Sequence, residues 1–114
     1  MKTNDILLMV LLLIVATALE ATGDALVRRS IYEYTGLYRI ICVVVGAVLL
    51  LGYGFMVNLA PIEFGKVVGL YISTLFIMWQ VINYIIFRTV PSASVITGGA
   101  MIIIGGLIVT FGKF

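Results

Sequence analysis

The chain contains no histidine, and its single cysteine, Cys42, lies inside an apolar run. Without imidazole a histidine-ligated haem is excluded, and one thiol cannot build a thiolate cluster or an intrachain disulfide framework. No metal and no cofactor is therefore expected, and Cys42 reads as a small packing residue. Charge is scarce as well. Charged residues make up 11% of the chain, whereas a soluble domain carries about a quarter, so there is too little polar surface for a water-facing shell. The formal net charge is +2 and no basic run occurs, which argues against a nucleic-acid partner. The two prolines, Pro61 and Pro91, fall between apolar blocks rather than within them.

What is abundant is apolar sequence. The chain is 63% hydrophobic, with a mean hydropathy of +1.27. Its apolar residues sit in blocks long enough to span a bilayer, which takes about 20 residues as a helix. Four blocks use nearly all of the 114 residues. The expected fold is an all-α membrane protein of four transmembrane helices in one domain, over about 6–27, 40–59, 66–87 and 95–111. No stretch remains for a soluble catalytic domain, so no enzyme activity is expected and function must lie among the helices. Thr3, Asn4 and Asp5 offer capping side chains before the first helix. Lys2, the run from Ile6 to Val15 and Ala16-Thr17-Ala18 are similar to a cleavable leader, but the apolar pattern continues to Val27 and favours a full span. Ser30 to Tyr38 reads as a polar-aromatic interfacial loop.

Short loops predict that consecutive helices are antiparallel neighbours, with both termini on one side. Lys2, Lys66 and Lys113 fall on that side, and Arg28, Arg29, Arg39 and Arg88 on the other. Orientation follows an excess of Lys and Arg on the cytoplasmic side. A nearly balanced count predicts insertion in both orientations.

Glu20 is the most informative residue. It lies within the first helix, on the order of 10 Å from the Arg28 end. An ionised carboxylate there costs several kcal/mol unless it faces a partner or a wet cavity. Intramembrane carboxylates of this kind mark transport or proton paths. Small neighbours, Ala16, Ala21 and Gly23, suggest room around the carboxyl group. Asp24 and Arg28 follow at one-turn intervals on the same stripe, so Asp24 reads either as a salt-bridge partner of Arg28 or as a second site carboxylate. Glu63 and Lys66 read as an interfacial i, i+3 pair with Lys66 snorkelling; the sharper alternative turns Lys66 into the cavity. In the third helix, Gln80, Asn83 and Tyr84 cluster at helical spacing and read first as hydrogen-bonding glue between helices, with the lining of a path as the alternative. In the fourth, Gly98 and Gly105, and Gly99 and Gly106, repeat at seven residues, which keeps small residues on one face for a close crossing. The crossing lies either within one chain or between two copies of it, and the contact between copies is the preferred reading.

With these residues in view, the chain resembles the small multidrug resistance transporters of the drug/metabolite transporter superfamily. The stretch Ala16 to Arg28 (A-T-A-L-E-A-T-G-D-A-L-V-R) looks like that family's first helix, with one membrane glutamate, a glycine three residues later and a basic residue near its end. Leu59-Ala60-Pro61 followed by Gly65 resembles the entry to its third helix, and Gly98 to Gly105 its fourth-helix glycine heptad. The resemblance implies an antiparallel homodimer of dual topology, in which the two copies of Glu20 form one site where protons compete with a cation. The multidrug branch carries aromatics in helices 2 and 3; here the helix-3 positions hold Lys66 and Gly69, and no aromatic falls near Gly46. A lysine there is similar to another branch, whose third helix starts with an S-G-R-V-Y-like segment.

The leading expectation is a proton-coupled exporter of small cationic or amine-bearing compounds in a bacterial or archaeal plasma membrane. Glu20, Asp24, Lys66 and Tyr71 are its candidate substrate and proton site, and Gly98, Gly99, Gly105 and Gly106 its dimer contact. Expected partners are membrane lipid, a second copy of the chain, a small cation and protons. The alternatives are a lipid-linked metabolite flippase or its accessory subunit, with Lys66 on a lipid phosphate, and a non-transporting membrane scaffold in which Glu20 only pairs with another helix.

Overall fold

The computed structural model describes residues 3–61 and 63–114. They form four helices, α1 (Thr3–Tyr32), α2 (Gly36–Asn58), α3 (Phe64–Phe87) and α4 (Ala93–Phe111), and no strand among the described residues. All four are long and apolar enough to cross a membrane. The protein is an all-α, multi-pass transmembrane protein. Lys2, one of the cations in the charge balance, lies outside the described residues.

The helices alternate in direction. On the α1–α2 interface Gly23 meets Gly46, and Leu19 meets Gly52, so one chain descends as the other rises. On α3–α4, Lys66 lies by Thr110 and Phe76 by Gly99, again antiparallel. The expectation that all consecutive helices are packed neighbours fails at one place. α3 packs against α1, and no comparable α2–α3 interface forms. The spatial order is therefore α2–α1–α3–α4, a flat row with extents of 52 × 33 × 19 Å.

This order follows from side-chain size. α1 buries Met9, Leu13, Ala16, Thr17, Ala21, Gly23, Ala25 and Ser30, whereas α2 buries Gly46 alone. Small residues let neighbouring backbones come close, where van der Waals contact drives helix association in lipid. Most of the Leu, Ile and Val side chains of α2 face outward, as lipid-facing side chains do, while Leu49 and Leu50 lie against Gly23 of α1. At one end Met9, Leu13 and Val67 pack together, joined by Val57, Ala60, Leu70 and Tyr71.

The helix ends depart from the sequence reading. α1 runs on through Arg28 and Arg29 to Tyr32, into the segment expected to be a loop. Two arginines account for this. Arg29 pairs with Glu33 one turn later, at 2.9 Å. Arg39 Nε donates to the carbonyls of Ser30 at 2.7 Å and Tyr34 at 3.0 Å. Cations on the unsatisfied carbonyls of a helix C-terminus extend and stabilise it. Gly36, with φ of 64°, turns the chain into α2. Thr3, Asn4 and Asp5 lie in the first turn of α1 instead of capping it. Ser92 caps α4 by accepting from the Val95 amide.

Candidate functional site

Glu20 is half-buried in the middle of α1, beside α3. The Tyr71 hydroxyl of α3 donates to its Oε2. The Tyr53 hydroxyl of α2 lies 3.1 Å from that of Tyr71, and the two rings stack with centroids 5.8 Å apart. A phenol has one proton to give. Tyr71 uses its own on the carboxylate, so Tyr53 supplies the proton of the second bond. Three helices thus converge on one acid through a two-tyrosine chain. Ala16 and Ala21 are fully buried, and Gly23 is in contact with α2. The small neighbours of Glu20 thus serve close packing between helices.

Of the residues expected to join Glu20, Tyr71 does so directly. Tyr53 was missed. Its signal was present: a tyrosine deep in an apolar span, away from the interface where tyrosines usually sit, needs a partner for its hydroxyl.

Asp24 is exposed and does not pair with Arg28. The only ion pair among the described residues is Arg29–Glu33. The Arg28 guanidinium instead rests 4.9 Å from the centre of the Tyr32 ring. Both residues line a groove of about 690 Å³ between α1 and α3, with Trp79, Gln80 and Asn83 opposite. Gln80 and Asn83 therefore border open space rather than gluing helices together, and Tyr84 stands outside the groove, facing Arg88 at 6.0 Å.

Lys66 does not reach the Glu20 cluster. It is exposed at the opposite end of α3, in a second groove of about 510 Å³ with Glu63, Thr110 and Lys113. Its side chain forms no ion pair with Glu63 among the described residues. The two residues meet through the backbone instead, where the Lys66 amide donates to the Glu63 carbonyl at 3.0 Å. The Lys66 carbonyl accepts from Thr110 Oγ1 at 2.8 Å.

The glycine heptads of α4 divide between two faces, because adjacent helical residues point about 100° apart. Gly106 touches Gly69 and Ser73 of α3, and Gly99 lies under the Phe76 ring. These two pack within the chain, the other reading that the spacing left open, which corrects the preference for a contact between copies at Gly99 and Gly106. Gly98 and Gly105 have open space before them and remain candidates for a contact with another chain.

The centre is thus a carboxylate in mid-span, held by a tyrosine pair, with a separate polar groove one helical turn away. No family model matches the chain, and no curated protein or solved structure is significantly similar to it.

Proposed function

We propose that the protein is a proton-coupled exporter of small cationic or amine-bearing compounds in a bacterial or archaeal plasma membrane, with Glu20 as the group that takes either a proton or the cation. The observation that carries this reading is the placement of Glu20: an acid in mid-membrane, joined to α3 and α2 by Tyr71 and Tyr53, and only partly covered by its own protomer. Antiport needs a group that binds one ion or the other but not both, and an intramembrane carboxylate meets that requirement. The tyrosine chain has a role in the cycle. It supplies a hydrogen bond to the carboxylate when neither proton nor cation is bound, and that bond weakens when one arrives.

The functional unit in this reading is an antiparallel, dual-topology homodimer. Four helices in a flat row enclose no chamber, and a second copy laid across the row would bring its own Glu20 to face the first. Two carboxylates at close range titrate as a pair, so one cation entering between them displaces protons. Gly98 and Gly105, with open space before them, offer a surface for this contact, and the near-balanced Lys and Arg count fits insertion both ways.

The test is substrate-dependent proton release from the purified protein in detergent. Guanidinium, quaternary ammonium and polyamine ligands are added in weakly buffered solution. The wild type is expected to release protons with at least one class, and Glu20→Gln, which keeps the size of the side chain, to release none while eluting as the same species. Proton release by Glu20→Gln equal to the wild type would remove Glu20 from the mechanism and favour the scaffold.

A further inference from the structure

The geometry points to a second binding site in the α1–α3 groove, which takes a small zwitterion with its ammonium group on Asp24 and its anionic group on Arg28. The site is separate from Glu20 and does not depend on the exchange proposed there.

Asp24 and Arg28 lie one turn apart on α1, about 6 Å along the helix axis. Opposite charges at this spacing usually pair. Here they do not. Arg28 is held against Tyr32, and Asp24 forms no ion pair among the described residues. Both nevertheless line the same groove of about 690 Å³. Asp24 sits a turn further into the span than Arg28, where an exposed carboxylate facing hydrocarbon is costly. The groove must therefore hold water or a polar ligand beside it.

The opposite wall fits an organic ammonium ion. Trp79 lines this wall, and indole is the best of the natural rings for attracting a cation. Gln80 and Asn83 add amide groups that can accept from its N–H bonds. The positive charge of Arg28 selects further. It opposes a ligand of net positive charge, and most strongly one with two cationic ends. A ligand that carries its own anion satisfies both charges at once, with the ammonium inward and the anion outward. The one-turn separation suits an ω-amino acid with a short carbon chain. A volume of several hundred Å³ is in the range of small-molecule pockets.

The chain contains one tryptophan, and it lines this groove, so intrinsic fluorescence reports the site without a label. The purified protein in detergent micelles is titrated with 4-aminobutyrate, butylammonium, butyrate and putrescine. The expected result is a saturable change in Trp79 emission with 4-aminobutyrate, at lower concentration than with the two single-charge analogues, and no response to putrescine. Asp24→Asn should weaken 4-aminobutyrate by about tenfold or more, the scale of a lost charge-assisted contact. Asp24→Glu should restore much of the binding. Arg28→Gln should abolish the preference for the zwitterion over butylammonium. Glu20→Gln should bind 4-aminobutyrate as the wild type does, which separates this site from the proton site. The assignment is overturned if no probe changes the emission, if Asp24→Asn binds unchanged, or if butylammonium binds the wild type as tightly as 4-aminobutyrate. Loss in Glu20→Gln with retention in Asp24→Asn would also overturn it, and would place the ligand at Glu20.

Discussion

The bond between Tyr71 and Glu20 can be measured by a double-mutant cycle. Tyr71→Phe deletes the donor and keeps the ring. Glu20→Leu deletes the acceptor and leaves an apolar side chain of similar length. Either single variant changes more than the bond, since Glu20→Leu also removes a costly intramembrane carboxylate and stabilises the fold on that account. The cycle cancels such terms and isolates the coupling. Hydrogen bonds between membrane helices average about 0.6 kcal/mol by this method, with a maximum near 1.7, whereas bonds to charged groups reach about 1.5–3 kcal/mol. Tyr71 donates to a carboxyl oxygen, so the expected coupling at alkaline pH is about 1.5 kcal/mol, roughly tenfold in the unfolding equilibrium. At acidic pH, with the acid protonated, it should drop toward the neutral value of about 0.6 kcal/mol. Tyr53 biases the result in a known direction. When Glu20 is absent, Tyr71 can turn its proton to Tyr53, 3.1 Å away, so the measured coupling is a lower bound. The assay is reversible unfolding in mixed micelles followed by circular dichroism. A coupling below about 0.3 kcal/mol at both pH values, the usual limit of additivity between unconnected sites, would refute the contact.

The other predictions concern packing and charge. Gly106→Leu should disrupt the protomer, because a side chain there runs into Gly69 and Ser73, while Gly105→Leu, which faces open space, should leave the helical signal and melting unchanged and weaken detergent cross-linking between chains; equal melting of the two variants would contradict the division of the glycines. Arg39→Ala should shorten α1 from its C-terminal end by removing donors to the Ser30 and Tyr34 carbonyls, at a cost of up to about 1 kcal/mol, seen as faster amide exchange near Tyr32; unchanged exchange would mean that Arg39 does not hold the helix end. Lys66→Ala should keep the substrate profile and pH dependence of the wild type, since Lys66 lies with Lys113 at the far end of α3; an altered profile would bring Lys66 into the transport path.

The helices were legible in the sequence because a bilayer imposes a length. Runs of about 20 apolar residues have few alternatives to a spanning helix. The end of α1 was not legible in the same way. Ser30, Ile31 and Tyr32 read with the polar-aromatic loop that follows them, and it is Arg39, on the next helix, that extends α1 through them by reaching back to the Ser30 and Tyr34 carbonyls. Glu20 was legible because an acid in a span stands out against its surroundings. Its partners were legible unequally. Tyr71 lay among several polar residues of α3; Tyr53 stood out only as a tyrosine deep in a span, and its partner was hidden because the sequence does not say that α2 and α3 flank α1. Neighbour order in space was the weakest inference. Short loops require that consecutive helices be close at their ends, but not that they pack along their lengths. The glycine heptads had the same ambiguity: the spacing fixes that two glycines share a face, and only Phe76, Gly69 and Ser73 decide which face turns inward.

The position of α1 explains why both carboxylates lie on it. Only an inner helix of the row has a neighbour on each side, and α1 is the one whose Ala and Gly residues let α2 come close while its acidic stripe faces α3. The α1–α3 seam is closed near one end by Met9, Leu13 and Val67. Near the other, Arg29 Nη2 donates to the Ile86 carbonyl at 3.2 Å, and the Arg29 guanidinium carbon lies 5.8 Å from the centre of the Phe87 ring. Between these closures the seam changes character. Tyr71 bridges it at Glu20, and one turn later it opens into the groove at Asp24. Apolar packing would have closed that seam at less energetic cost than two acids in a span. A fold that pins both ends of this seam holds Glu20 on its tyrosine bridge and leaves Asp24, one turn later, beside a polar crevice with no ion pair among the described residues to cover it.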